Sequence, residues 1–273
     1  MAALAKPIQR VILMGAMAAA LTGCRKDDSA AESPASALPD VADQQSAHVL
    51  RQQGEDERAA RVTAADPMTI AANAYQGGNP AAARDLGGLY NLCGGIEIRA
   101  FKGARLPAEW HPYEQACARL APSLSRARTL EVKPFDHPDS QRVTALSALP
   151  ADEPAREQGL EEVMRTSSIP EFRMEAAFSL LDGNRLREWG EDVLPPHNLD
   201  NGLALQMDAA LLYGCRVGVD CSSDAFFTLG ECAQTLTCTP GTSLQRVIEL
   251  RRSPLEMQIL RKVVDQLVRT GDG

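Results

Sequence analysis

The sequence predicts an all-α protein: an irregular bundle or a short stack of helix pairs, stapled by disulfides. Three observations predict it. Helix start signals recur along the chain, and most stand directly before an apolar stripe. Aromatic residues are scarce at 4% while Ala and Leu dominate, which suits closely packed helices better than a β-sandwich. Only one segment, Ile96 to Phe101, alternates like a strand, and six residues do not make a sheet. About eight to ten short helices joined by loops of about 3 to 10 residues are expected.

The first element is the apolar start of the chain. The uncharged run from Val11 to Gly23 is 13 residues long, short of the about 20 that span a bilayer. Lys6 and Arg10 precede it with no acid, the basic and apolar regions of a secretory signal over residues 1–23. The end of the run, Leu21-Thr22-Gly23-Cys24, resembles the lipobox of bacterial lipoproteins. That resemblance implies that Cys24 is diacylated and becomes the new N-terminus. It also implies that the protein sits on the periplasmic face of a membrane through its lipid anchor alone. Arg25 rather than Asp after the cysteine favours the outer membrane. Two or three acyl chains on one residue hold stably where a single chain is marginal. Residues 25–46 are rich in Ser, Ala, Asp and Pro with few large apolar side chains, so 24–46 reads as a lipidated cysteine and flexible tether. The folded periplasmic domain is then 47–273.

Asn79-Pro80 opens a helix of that domain, `NPAAARDLGGLYNLC`, whose small residues permit close approach of a neighbour. Continued to Gly95, this segment is similar to one helix of Sel1-like or tetratricopeptide repeats. The likeness covers about 40 residues, no period of about 34 to 36 persists, and it implies helix-pair stacking without carrying over any functional residue. Ile96–Phe101 follows as the candidate strand. Helices are expected over 153–166, 200–214, 223–233 and 242–251. Between the first two, Ser168-Ile169-Pro170-Glu171 starts another, with Phe172, Ala176, Leu180 and Leu181 inward and Gly183 at its end. The last helix is the clearest. Ser253-Pro254-Leu255-Glu256 combines an N-cap, proline at the first position and a capping-box glutamate. Behind it Leu255, Ile259, Leu260, Val263, Val264, Leu267 and Val268 recur at spacings of three to four.

Besides Cys24 there are six cysteines, an even number that in an exported chain implies disulfides. Cys93 and Cys117 stand about a hundred residues from the others and are paired with each other. The remaining four form the same C-x5-C unit twice, which pairs Cys215 with Cys221 and Cys232 with Cys238; crossed pairing, Cys215 with Cys238 and Cys221 with Cys232, is the alternative. No C-x-x-C occurs and the four histidines lie far from the cysteines in sequence, so neither a zinc site nor a cofactor is expected. The same spacing favours staples over a redox centre.

Recognisable hydrolase and nucleotide-binding motifs are missing from the sequence: no G-x-S-x-G, S-x-x-K, H-E-x-x-H, G-x-G-x-x-G or P-loop. The remaining polar groupings each have a structural reading beside a chemical one. Asp136, His137 and Asp139 in `PFDHPDS` could supply a base and an orienting carboxylate, or simply form a proline-framed turn. His111 lies beside Trp110 and Tyr113, an aromatic corner. Glu161 with Glu162, and Glu188 with Glu191 around Trp189, could act as an acid and base pair on a glycan, or be solvated helix faces. The structural reading is the expectation in each case, with no catalytic residue.

Without the signal the chain carries 26 basic against 36 acidic residues. An acidic body argues against nucleic acid and against docking on anionic lipid. The expectation is a membrane-anchored protein-binding lipoprotein whose partner is a protein, and a basic one suits the charge. An inhibitor or immunity protein against a cell-wall-attacking toxin, or an envelope scaffold, fits that description. The alternative is a lipid-anchored enzyme acting on peptidoglycan.

Overall fold

Among the described residues six helices begin on a proline: Pro67, Pro80, Pro138, Pro154, Pro170 and Pro254. At the first helical position the missing N–H removes no hydrogen bond and the fixed φ is already helical, so each proline is a start signal that the sequence alone supplies. The computed structural model describes residues 41–75, 78–101, 105–130, 137–181, 183–190, 202–235 and 238–272. Among them the order is α1 (Val41–Ala64), α2 (Pro67–Tyr75), α3 (Pro80–Phe101), a 3₁₀ turn (Ala108–Trp110), α4 (His111–Arg128), α5 (Pro138–Ser147) and α6 (Pro154–Thr166). It continues with α7 (Pro170–Leu180), α8 (Gly183–Gly190), α9 (Gly202–Val217), α10 (Phe226–Thr235), α11 (Leu244–Arg251) and α12 (Pro254–Asp272). The described residues contain no strand.

Side-chain caps reinforce several of these starts. Asn79 Oδ1 accepts from the Ala81 and Ala82 amides at 3.1 and 3.2 Å. Asp66 Oδ1 accepts from the Met68 amide at 3.0 Å. Ser253 Oγ accepts from the Glu256 amide at 3.2 Å while Glu256 Oε2 accepts from the Ser253 amide at 2.8 Å, the reciprocal capping box read from sequence.

Four expectations need correction. Ile96–Phe101 is the last turn and a half of α3: Leu86, Leu89, Leu92 and Ile96 are buried at helical spacing, and Ile98, the other half of the apparent alternation, is 56% exposed. Residues 41–46, assigned to the tether, are the first turns of α1; no proline or glycine interrupts 41–53, so the helix that begins in the domain propagates outward. Gly183 starts α8 and does not close α7. Leu255 stands 43% exposed, outside the buried stripe that Ile259, Leu260, Val263, Val264 and Leu267 form behind it. The helices α1, α2, α4, α5 and α8 are additional to those read from the sequence.

Two apolar cores result. The first gathers α1 to α4, with Val62, Leu86, Leu89, Leu92, Trp110 and Tyr113 fully enclosed. The second is built by α5 to α9 and α12 around Leu160, Met164, Leu180 and Leu260. The chain does not keep them separate, because α10 returns to complete the first core with Leu229, Cys232 and Ala233. Helix α11 sits on the boundary, Val247 in one core and Leu244 and Ile248 in the other.

Glycine permits the α10 insertion. A Cβ on Gly88 would lie 2.4 Å from the Phe226 carbonyl carbon, one on Gly95 3.0 Å from Ala233, and one on Gly230 2.6 Å from the Gly88 oxygen. Residues 88 and 95 are matched by 226 and 233, so α3 and α10 run parallel with their backbones touching. At the far end Arg99 Nη2 donates to the Thr235 carbonyl oxygen at the C-terminus of α10, at 2.9 Å.

The disulfides lock this arrangement in the uncrossed pairing. Cys93–Cys117 ties α3 to α4, Cys215–Cys221 closes the loop after α9, and Cys232–Cys238 closes the loop after α10, with Cα separations of 5.3, 5.6 and 5.6 Å. Closing loops in the unfolded chain contributes about 2 to 4 kcal/mol per bridge.

Candidate functional site

The residues with the best claim to chemistry are dispersed and engaged. His137 caps α5: its Nδ1 accepts from the Asp139 amide at 3.1 Å, and its ring lies 4.9 Å from that of Phe172. A ring nitrogen that accepts there leaves the proton of the neutral imidazole on Nε2. Asp139 is 3.9 Å from that ring nitrogen and instead accepts the Ser167 hydroxyl at 2.6 Å. Serine, carboxylate and imidazole are thus near one another in an order that fastens a helix start and does not activate a nucleophile. His111 is exposed at the head of α4, beside the buried ring pair Trp110 and Tyr113, 5.7 Å apart.

The carboxylate pairs are likewise split among arginines. Glu161 pairs with Arg165 at 3.6 Å, Glu162 with Arg142, and Glu188 with Arg185 at 2.7 Å. Asp136, Glu191 and Cys24 lie outside the described residues. Among the described residues no group of three His, Cys, Asp or Glu side chains could hold a metal ion, and no helix is long and apolar enough to cross a membrane.

Charges converge among α9, α10, α11 and α12. Asp208 of α9 is fully buried and accepts from Arg251 and, at 2.6 Å, from Arg252 Nε. Arg251 also donates to Glu231 of α10 at 2.7 Å, and Arg252 reaches Glu256 of α12 at 3.5 Å. Burial works against the Arg251 charge, but Glu231 and Asp208 outweigh it and raise its pKa. The network joins α9, α10, α11 and α12 where the two cores meet. Its visible trace was a lone aspartate in the apolar run `LALQMDAALLYG` followed, forty residues on, by adjacent arginines.

The surface supplies two further features. Over residues 137–166 six carboxylates stand against three arginines, of which Arg156 is buried and donates to the Ser179 carbonyl oxygen at 2.7 Å. Glu157, Glu161 and Glu162 are paired with Arg185, Arg165 and Arg142, so the excess negative charge of the flank formed by α5 and α6 is carried by Asp139 and by Asp152 and Glu153, the last two exposed at the head of α6. Two hollows border α1, one of about 400 Å³ beside Arg61, Ile70 and Phe226, the other of about 300 Å³ beside Glu55, Arg58 and the Thr239–Thr242 turn.

No protein-family model, curated protein or solved structure matches this chain. The functional reading therefore rests on the chain's own chemistry. Of the features above, the ion network is largely buried, and Asp152 and Glu153 of the acidic flank are exposed.

Proposed function

We propose that this protein is a lipoprotein of the bacterial envelope, anchored through Cys24 on the periplasmic face, in the outer membrane by preference, and that it captures a basic protein partner without performing chemistry itself. The acidic flank of α5 and α6 is the observation that carries this reading. Opposite charge speeds encounter and selects partners, and a stapled body holds its acidic side chains in fixed relation at little ordering cost on binding. The engagement of His137, Asp139, Glu162 and Glu188 in helix caps and ion pairs supports a binding role for the same body. A membrane tether restricts the search volume and adds no reaction. An inhibitor or immunity protein that plugs the basic cleft of a cell-wall-attacking toxin has this chemistry; an envelope scaffold is the other form it can take.

Two experiments test the parts separately. Cys24→Ser is expected to shift the protein from the membrane fraction to the soluble envelope fraction and to abolish labelling by fatty acid. A mutant that still sediments with membranes, beside a wild type that takes up no label, contradicts the anchor. Alanine at His111, His137, Glu188 or Glu191 is expected to leave function in the cell intact, and the purified protein to release no muropeptides from cell-wall sacculi. Release that one of these alanines abolishes, in a variant that still folds, moves the assignment to a peptidoglycan enzyme.

A further inference from the structure

We propose that the Cys215–Cys221 bridge is a redox latch: a dithiol donor opens it ahead of the other two, and its opening frees the turn between α9 and α10 and loosens the seam between α10 and α3. Access to a sulfur decides which bridge a thiolate can attack. Cys232 and Cys238 are both buried, at 1% and 7% exposure, and in Cys93–Cys117 the second cysteine is buried at 7%. Cys215–Cys221 is the one bridge among the described residues in which neither cysteine is buried. Its surroundings are open as well, with Arg216, Gly218, Asp220 and Ser222 exposed.

The turn that this bridge closes is fastened to both cores. The Gly214 carbonyl oxygen of α9 accepts from the Val219 amide at 2.9 Å, and Gly218 takes a φ of 109°, which glycine adopts without strain. The Cys221 carbonyl oxygen accepts from the Leu244 amide at 3.4 Å, at the start of α11. Further along the turn, Asp224 accepts from Arg58 Nε at 2.7 Å and from Arg61 Nη1 at 3.0 Å, both on α1. Phe226 begins α10, and its backbone is the one that fits against Gly88 of α3. Residues 222–225 alone separate the bridge from that contact. The pairs with α1 are too open to hold the turn by themselves: Arg61 is 60% and Asp224 38% exposed, and such pairs contribute little in water. The covalent bridge is therefore the main constraint on the turn, and opening it restores the freedom that closure removed.

Opening is a two-electron exchange. One thiolate of the donor bonds to a sulfur of the bridge and displaces the other sulfur as a thiolate. The donor's second thiol then displaces the first, so the donor leaves as a disulfide and Cys215 and Cys221 each end with one electron and one proton more.

Limited reduction of the full chain with dithiothreitol under native conditions, followed by alkylation of the freed thiols and peptide mapping, tests the order of opening. Cys215 and Cys221 are expected to label together, about tenfold or more faster than the cysteines of either other bridge. Hydrogen exchange on the same samples reads the consequence: protection over 219–235 is expected to fall by about tenfold, while α5 to α7 change little. A chain carrying Cys215→Ser with Cys221→Ser should show that fall without reductant. Labelling of either other bridge first or at an equal rate, or opening only with loss of protection throughout the chain, overturns the proposal. Selective opening that leaves protection over 219–235 unchanged overturns it too.

Discussion

Replacing Gly88 by alanine is expected to lower stability by about 3 kcal/mol, whereas the same change at its neighbour Gly87 is expected to raise it by up to about 1 kcal/mol. Both residues lie inside α3, so helix propensity favours alanine at each by a similar amount. They differ in what the new methyl group meets. At Gly88 it would stand 2.4 Å from the Phe226 carbonyl carbon and the Phe227 nitrogen and 2.6 Å from the Phe226 oxygen, all backbone atoms that no rotamer change can move. Helices α3 and α10 must then part, and the seam containing Leu229, Cys232 and Ala233 loses its packing. At Gly87 nothing lies within 4 Å. Thermal unfolding should show a drop of roughly 6 to 12 °C for Gly88→Ala and a small rise for Gly87→Ala. A rise in both would mean that the two helices are not in backbone contact.

Arg251→Met is the second large effect. It leaves Asp208, fully buried, with Arg252 alone, and Glu231 with no arginine from α11. Removing one partner from a buried ion pair is destabilising by about 3 to 5 kcal/mol, because the orphaned charge stays out of water, even where the intact pair adds little. Asp208→Asn together with Arg251→Met should be less destabilising than the sum of the two single changes, by about 1 to 3 kcal/mol, since the groups share one network. Additive losses in denaturant unfolding would show that the four helices are not coupled through these charges.

The local parts of the fold were readable from sequence, and the long-range parts were not. Prolines, the Asn79 cap and the Ser253–Glu256 box act within one turn, so they mark helix starts wherever the chain later goes. Six-residue separations bring Cys215 to Cys221 and Cys232 to Cys238 across single loops, and those pairs were accessible for the same reason. The glycines at 88 and 95 announced a close neighbour without naming it, because α10 lies more than 130 residues away in the chain. Ile96 to Phe101 imitated a strand over six residues, too few for the period of two to be told from a helix end. Of the candidate site, the histidines and glutamates were legible as residue types. What engages them depends on tertiary neighbours such as Arg142 and Ser167.

Capture of a basic protein through the acidic flank is open to a single binding measurement. The Cys24→Ser chain serves as immobilised bait for envelope extract, and retention is compared with that on chains also carrying Asp152→Lys with Glu153→Lys, or Asp265→Lys on the exposed side of α12 as a control. The account predicts one basic partner, held about tenfold less well after reversal on α6 and unaffected by the control. Retention should also weaken as ionic strength rises beyond about 0.15 M, where charges screen over about 8 Å. A partner held equally by all three chains and indifferent to salt would contradict the account, as would the absence of any basic partner.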